Sequence, residues 1–279
     1  MPVAENRLRF LNPNQSNPDK PLFVFLPGMD GTGRSLATQL PRLERFFDVR
    51  CLSIPSDDLN GWSGLVEQTA ALIQTEQDKG QFRQTYICGE SFGGCLALKL
   101  AAYSRDLFDR LILINPASSF ARRPIMGLGS GVINLLPESL YQISAVGLLP
   151  FLVDSQRVSS QNRDKLLTAM RSVASESAAL RISLLNRFSL GDIPLHKISQ
   201  PVLVVASELD RLLPSTAEAA RLVRNLPNAQ KIKLPKSGHV CLLEEDFKLD
   251  QILDRCGFLP TNQKTDSSSD KKSRNIAVN

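Results

Sequence analysis

Ser91 stands between glycines in YICGESFGGCLALKLAA, residues 86–102, where Gly-Glu-Ser-Phe-Gly at 89–93 follows a short apolar run and enters a segment rich in small residues. A strand that turns sharply into a helix at such a point exposes the serine hydroxyl, and glycines on either side let the two elements pack closely. A hydroxyl is a weak nucleophile until a base takes its proton, and the base needs a third group to hold its tautomer. The chain has 2 histidines. His239, in PKSGHVCLLEE, lies on a glycine-containing loop after the last strand-like run, whereas His196, in DIPLHKISQP, precedes a strand and reads as a surface residue. For the acid, PVLVVASELDRLLP offers Asp210, with Glu208 in reserve. The expected catalytic set is Ser91, Asp210 and His239, in the chain order serine, acid, histidine, and its chemistry is acyl transfer through a covalent intermediate.

The tetrahedral intermediate of that chemistry carries a negative oxygen that backbone donors must meet. The Phe92 amide, directly after the serine and at the start of a helix, is one expected donor. The Met29 amide, in LFVFLPGMDGTG, is the other, and Gly28, Asp30 and Gly31 of the same loop are the expected substrate contacts. Rival readings of this loop fail on spacing: no lysine follows Gly33 as a phosphate loop requires, and the dinucleotide pattern G-x-G-x-x-G is absent. Asp30 has no second copy of its D-G-T-G setting, and an enzyme that cleaves halides or epoxides through such an elbow would carry aspartate at 91. Cys95 and Cys241 are nucleophiles in principle, but Cys95 sits inside the helix after the elbow and reads as packing.

These groups need a frame that brings 91, 210 and 239 together. Continuous apolar runs at 22–26, 49–54, 85–89, 110–115, 201–207 and 230–235 predict strands covered on both faces. Helix patterns at 61–79, 92–103 and 215–226 lie between them, so the fold class is α/β, a mostly parallel central sheet flanked by helices. The rhythm breaks over 116–190, which holds helical stretches such as DKLLTAMRSVASESAALRISLLNRF and reads as a helical cap inserted between core parts at 1–115 and 191–259. Residues 260–279 are polar and read as a disordered tail.

Composition narrows the function classes. The net charge of +5 is partly the tail's, where Lys264, Lys271, Lys272 and Arg274 face only Asp266 and Asp270, so no nucleic-acid partner is expected. Five cysteines with no paired spacing indicate neither a disulfide framework nor a zinc site; no metal or cofactor is expected, and a reducing, cytoplasmic compartment is. The opening residues lack the continuous apolar run of a secretory signal, and the most lipid-like stretch, 131–153, is interrupted by Pro137, Glu138 and Pro150.

Five segments, PGMDGTG (27–33), RCLSIPSDD (50–58), GESFGGCLALKLA (89–101), VLVVASELDRLLPS (202–215) and GHVCLLEE (238–245), together resemble the esterase/lipase/thioesterase group of α/β-hydrolases that includes the plant phytyl ester synthases. The resemblance implies an α/β-hydrolase fold and a lipid or acyl-thioester substrate. It also implies acyl transfer to a long-chain alcohol such as phytol or to diacylglycerol, with an acyl-thioester or a galactolipid as donor; acyl carrier protein is an expected partner, and peripheral contact with the thylakoid membrane is expected. Pro27 replaces the histidine that many α/β-hydrolases carry there, as in the resembled group. The plant members also have an N-H-x-x-x-x-D motif, and neither His196 nor His239 has aspartate five residues on. A small-molecule carboxylesterase or carbon–carbon bond hydrolase, and a non-catalytic lipid-binding module, are the alternatives.

Overall fold

The computed structural model describes residues 7–11, 16–80, 83–122 and 146–260. Its apolar runs form strands β2 (Leu22–Leu26), β3 (Asp48–Ser53), β4 (Thr85–Glu90), β5 (Arg110–Ile114), β6 (Val202–Ser207) and β7 (Ala229–Leu234), each within one residue of its expected ends. Every residue of β2, β4 and β6 is buried. Side chains alternate across the pleat into two layers. Val24, Ile87, Leu113 and Val204 join one cluster, while Phe23, Phe25, Cys88, Ile112 and Val205 join the other.

A short strand that the sequence did not signal, β1 (Arg9–Leu11), pairs antiparallel with β3 and completes a seven-stranded sheet of order β1-β3-β2-β4-β5-β6-β7, otherwise parallel. Three residues are too few to carry an alternation. At the opposite edge β7 alternates partly buried with exposed residues and places Gln230, Lys231 and Lys233 in solvent, which discourages edge pairing.

Helices α1 (Leu40–Leu43), α2 (Trp62–Gln77), α3 (Phe92–Tyr103), α6 (Ser215–Asn225) and α7 (Leu249–Arg255) flank the sheet, and α4 (Ser160–Ser172) and α5 (Ser175–Asn186) belong to the insertion, α4 packing on Val240 and Leu243. Leu65, Ile73, Leu96, Leu100 and Leu222 pack on one face, and Leu43, Leu249 and Leu253 on the other. From β2 the chain crosses to β3 on one side and then to β4 on the other. The strand order therefore reverses between β2 and β4, and in open parallel sheets the crevice at that reversal is where ligands bind.

Of the expected insertion, 123–145 lies outside the described residues, as does 261–279 of the expected tail. The remainder of the insertion contains no strand. Its long helical pattern divides into α4 and α5, because Val173 is buried in an extended conformation and the Ala174 N–H donates to the Ser56 carbonyl (2.9 Å). The insertion is pinned to the core. Trp62 Nε1 donates to the Leu184 carbonyl (3.2 Å), and its ring stacks on Phe92 with centroids 4.8 Å apart. No described helix is long and apolar enough to cross a membrane.

The crossing of α3 over the sheet depends on glycine. A Cβ on Gly93 would lie 2.0 Å from the Leu26 carbonyl oxygen, and one on Gly89 would lie 2.3 Å from the Gly93 oxygen. Both obstacles are backbone and cannot rotate away. We expect Gly93→Ala to destabilise the fold by at least about 3 kcal/mol. Gly147→Ala, with nothing near the added carbon, is expected to leave the denaturation midpoint unchanged or slightly raised. Equal midpoints for the two variants would contradict this account.

Candidate active site

Ser91 follows β4 with φ 52° and ψ −112°, a left-handed conformation that costs a non-glycine residue about 1–3 kcal/mol. The surrounding backbone holds it there. The Ser91 N–H donates to the Ile114 carbonyl (3.0 Å), and the Ser91 carbonyl accepts from the amides of Gly94 and Ala117, both at 3.0 Å. The hydroxyl is thereby turned off the strand axis toward the loops at the carboxyl ends of the strands.

His239 arrives on the loop after β7 and is almost completely buried. Its Nε2 lies 2.9 Å from Ser91 Oγ, and its Nδ1 lies 2.8 Å from Asp210 Oδ2. With Nδ1 carrying the proton to the carboxylate, Nε2 presents its lone pair to the serine hydroxyl. Asp210, on the loop after β6, is fixed by four donors. Oδ1 accepts from the amides of Leu212 and Leu213, both at 2.9 Å, and Oδ2 accepts from Ser215 Oγ as well as from His239.

The electrostatics follow from burial and these bonds. Desolvation opposes the charged form of both partners. Their mutual attraction and hydrogen bond outweigh it, so the His239 pKa rises and the Asp210 pKa falls from their ordinary values. A second carboxyl lies close by. Glu90, buried and adjacent to Ser91, accepts from Ser35 Oγ (2.5 Å) through Oε2, while Oε1 has no partner. Burial pushes its pKa up to about 7; the Ser35 bond lowers it, the Asp30 charge raises it and the His239 charge lowers it.

Other expected residues take different places. Glu208 is exposed and faces Lys233 (3.6 Å), away from the histidine. His196 is exposed on a turn before β6. Cys95 and Cys241 are fully buried, which raises both thiols well above the usual range and disfavours thiolates. Phe92 opens α3 and has no helical carbonyl behind its amide. The loop after β2 comes alongside the serine, since a Cβ on Gly28 would lie 3.9 Å from Ser91 Cβ. Within that loop Asp30 Oδ2 accepts from Thr32 N (3.0 Å), and Gly31, at φ 71°, packs against Ile54 and Arg181. Among the described residues no cluster of side chains could hold a metal ion.

Two supports of the histidine loop carry no signature in the sequence. Asn115, buried at the end of β5 with φ 41°, donates from Nδ2 to the His239 carbonyl (2.7 Å) and to Ser207 Oγ (2.9 Å), and accepts from Ser207 N (2.8 Å). Glu244 accepts from Gly238 N and Ser237 Oγ, both at 2.8 Å, and from Arg157 Nε of the insertion (3.1 Å).

Glu90 makes stability depend on pH with a definite sign. Its folded pKa lies above the ordinary value near 4.5, so its contribution is complete below that value and is lost as pH rises through about 7. We expect Glu90→Gln to be level with the wild type near pH 4 and ahead of it at pH 8 by about 3 kcal/mol. Denaturant titrations at both pH values read this difference; a gap that does not widen would overturn the assignment.

Comparison with known proteins places this geometry in a family. Residues 23–249 match the model of the alpha/beta hydrolase family. The chain is 33% identical over 275 residues to phytyl ester synthase 1, chloroplastic, of Arabidopsis thaliana, an alignment covering 90% of this chain and 39% of that protein. It is 27% identical to phytyl ester synthase 2 of the same plant, covering 90% of this chain and 40% of that one. It therefore spans about two fifths of the length of these relatives. A thermophilic esterase from Thermogutta terrifontis shares the fold with a TM-score of 0.71 at 18% identity, covering 89% of this chain and 92% of that one. The chain belongs to the alpha/beta hydrolase family.

Proposed function

We propose that the chain is a serine esterase or acyltransferase acting on lipid acyl esters or thioesters through Ser91, His239 and Asp210. The single observation carrying this reading is the unbroken relay from Ser91 Oγ through both nitrogens of His239 to Asp210, with contacts of 2.9 and 2.8 Å. Ser91 Oγ attacks the acyl carbonyl as His239 Nε2 takes its proton, and Asp210 stabilises the imidazolium. The amides of Phe92 and Met29 meet the oxyanion. On collapse, His239 returns the proton to the departing alcohol or thiol and leaves an acyl-serine, which water or a second alcohol then releases through the same histidine.

The names of the phytyl ester synthase relatives support phytol as an acceptor; diacylglycerol as an acceptor and acyl carrier protein as a partner rest on the sequence resemblance alone. Exposed Val146, Leu148 and Phe151 support peripheral contact with a lipid surface.

Two measurements test the proposal. Ser91→Ala should abolish labelling by a fluorophosphonate probe, and undiminished labelling would refute the nucleophile. Purified protein incubated with acyl carrier protein thioesters, galactolipid and phytol should give fatty acid or phytyl esters by mass spectrometry. Tight lipid binding without any product would make it a binding module. A separate expectation concerns pH: kcat/KM on a p-nitrophenyl ester should fall on the acid side with a midpoint above 6.5, because the elevated His239 pKa protonates the base early. Asp210→Asn should move that midpoint downward.

A further inference from the structure

The guanidinium of Arg181 is buried in α5, outside the relay, at 2% exposure. Nη1 donates to the Met29 carbonyl (2.6 Å), and Nη2 donates to the Pro55 carbonyl (2.8 Å). One side chain of the insertion thus joins the loop after β2 to the loop after β3. Burying a full charge is costly unless its donors are matched, and here a backbone carbonyl of each of two loops takes one donor from each terminal nitrogen.

The place where Nη1 attaches matters more than the bond itself. The Gly31 N–H donates to the Gly28 carbonyl (3.0 Å), so residues 28–31 form a β-turn whose central peptide joins Met29 to Asp30. The first peptide of the turn is held by that bond, and the end of the turn is held where Ile54 N donates to the Gly31 carbonyl (2.9 Å). The central peptide is anchored through the Met29 carbonyl by Arg181. Type I and type II turns interconvert by a flip of this central peptide, which changes ψ of the first central residue by about 150°. A flip would leave the Gly28–Met29 peptide on its own bond, but it would break the tie from the turn to α5 and free the loop beside Ser91 to shift as a unit.

We propose that Arg181 is a positioning residue for the oxyanion hole: by binding the Met29 and Pro55 carbonyls it clamps the 28–31 turn to the loop after β3, and so keeps the adjoining Gly28–Met29 peptide, which carries the Met29 N–H, seated beside Ser91. This rests on the reading of Ser91 as nucleophile and Met29 as donor. It makes the insertion part of the catalytic preorganisation, because α5 carries the anchor and is itself held by Trp62 at the Leu184 carbonyl. Substrate binding in the ground state asks little of an oxyanion donor, whereas the tetrahedral state asks a great deal. Loss of the anchor should therefore appear in kcat and leave KM nearly unchanged.

The test compares wild type, Arg181→Lys and Arg181→Gln on a p-nitrophenyl ester and on its thiono analogue, whose sulfur demands much less of hydrogen-bond donors. Both variants should lose kcat on the oxygen ester by about tenfold or more, short of the ~10²–10³-fold for removing a donor outright. Rates on the thiono ester should fall much less, narrowing the oxygen-to-sulfur preference, and lysine should retain more activity than glutamine. Equal losses on both esters, a change confined to KM, or no change would overturn the proposal. Unfolding of both variants, read by circular dichroism, would assign Arg181 to stability and overturn it too. Ser91→Ala run alongside keeps the two claims apart: activity surviving there removes the nucleophile, whatever Arg181 does.

Discussion

The contact between Gly93 and the Leu26 carbonyl governs the rest of the molecule, because it sets how closely α3 can approach the sheet as the chain leaves β4. That approach fixes the angle at which the strand breaks, and with it the left-handed conformation of Ser91. It also brings the start of α3 against the end of β2, so the Phe92 amide and the loop carrying Met29 arrive at one place. Gly94 extends the same logic, since a Cβ there would strike Pro116 at 2.7 Å, in the segment that leaves β5. Three neighbouring strand ends are locked around one corner by the absence of side chains.

Electrostatics are layered on this frame. The His239–Asp210 pair is buried, and its members stay ionisable because each lowers the cost of the other's charge. Glu90 is the less comfortable group. It is matched on one oxygen by Ser35, while its other oxygen is bare. Its burial beside Ser91 works against stability above neutral pH, and its negative charge, when present, favours the protonated form of His239.

Much of the frame can be read from sequence because continuous apolar runs have few other uses in a chain of this composition. The three side chains at the corner are legible for a narrower reason: a serine between glycines, scarce histidines and an acid after a strand leave few combinations. What escapes is whatever depends on a distant partner. β1 is too short to signal itself. The break between α4 and α5 exists because the Ser56 carbonyl captures an amide there. Asn115, Glu244 and Arg181 look like ordinary polar residues in the sequence. Their importance lies in the backbone atoms they meet, His239 O, Gly238 N and Met29 O, which are 124, 6 and 152 positions away.

The histidine loop is also tied to the insertion, through the bond from Val240 N to the Leu152 carbonyl (3.0 Å) and through Arg157 on Glu244. In this scaffold, then, the helical segment between β5 and β6 is stitched to the loop that carries His239. The two cannot drift independently: grafting another protein's insertion onto this core would displace His239 unless the stitches were carried across with it.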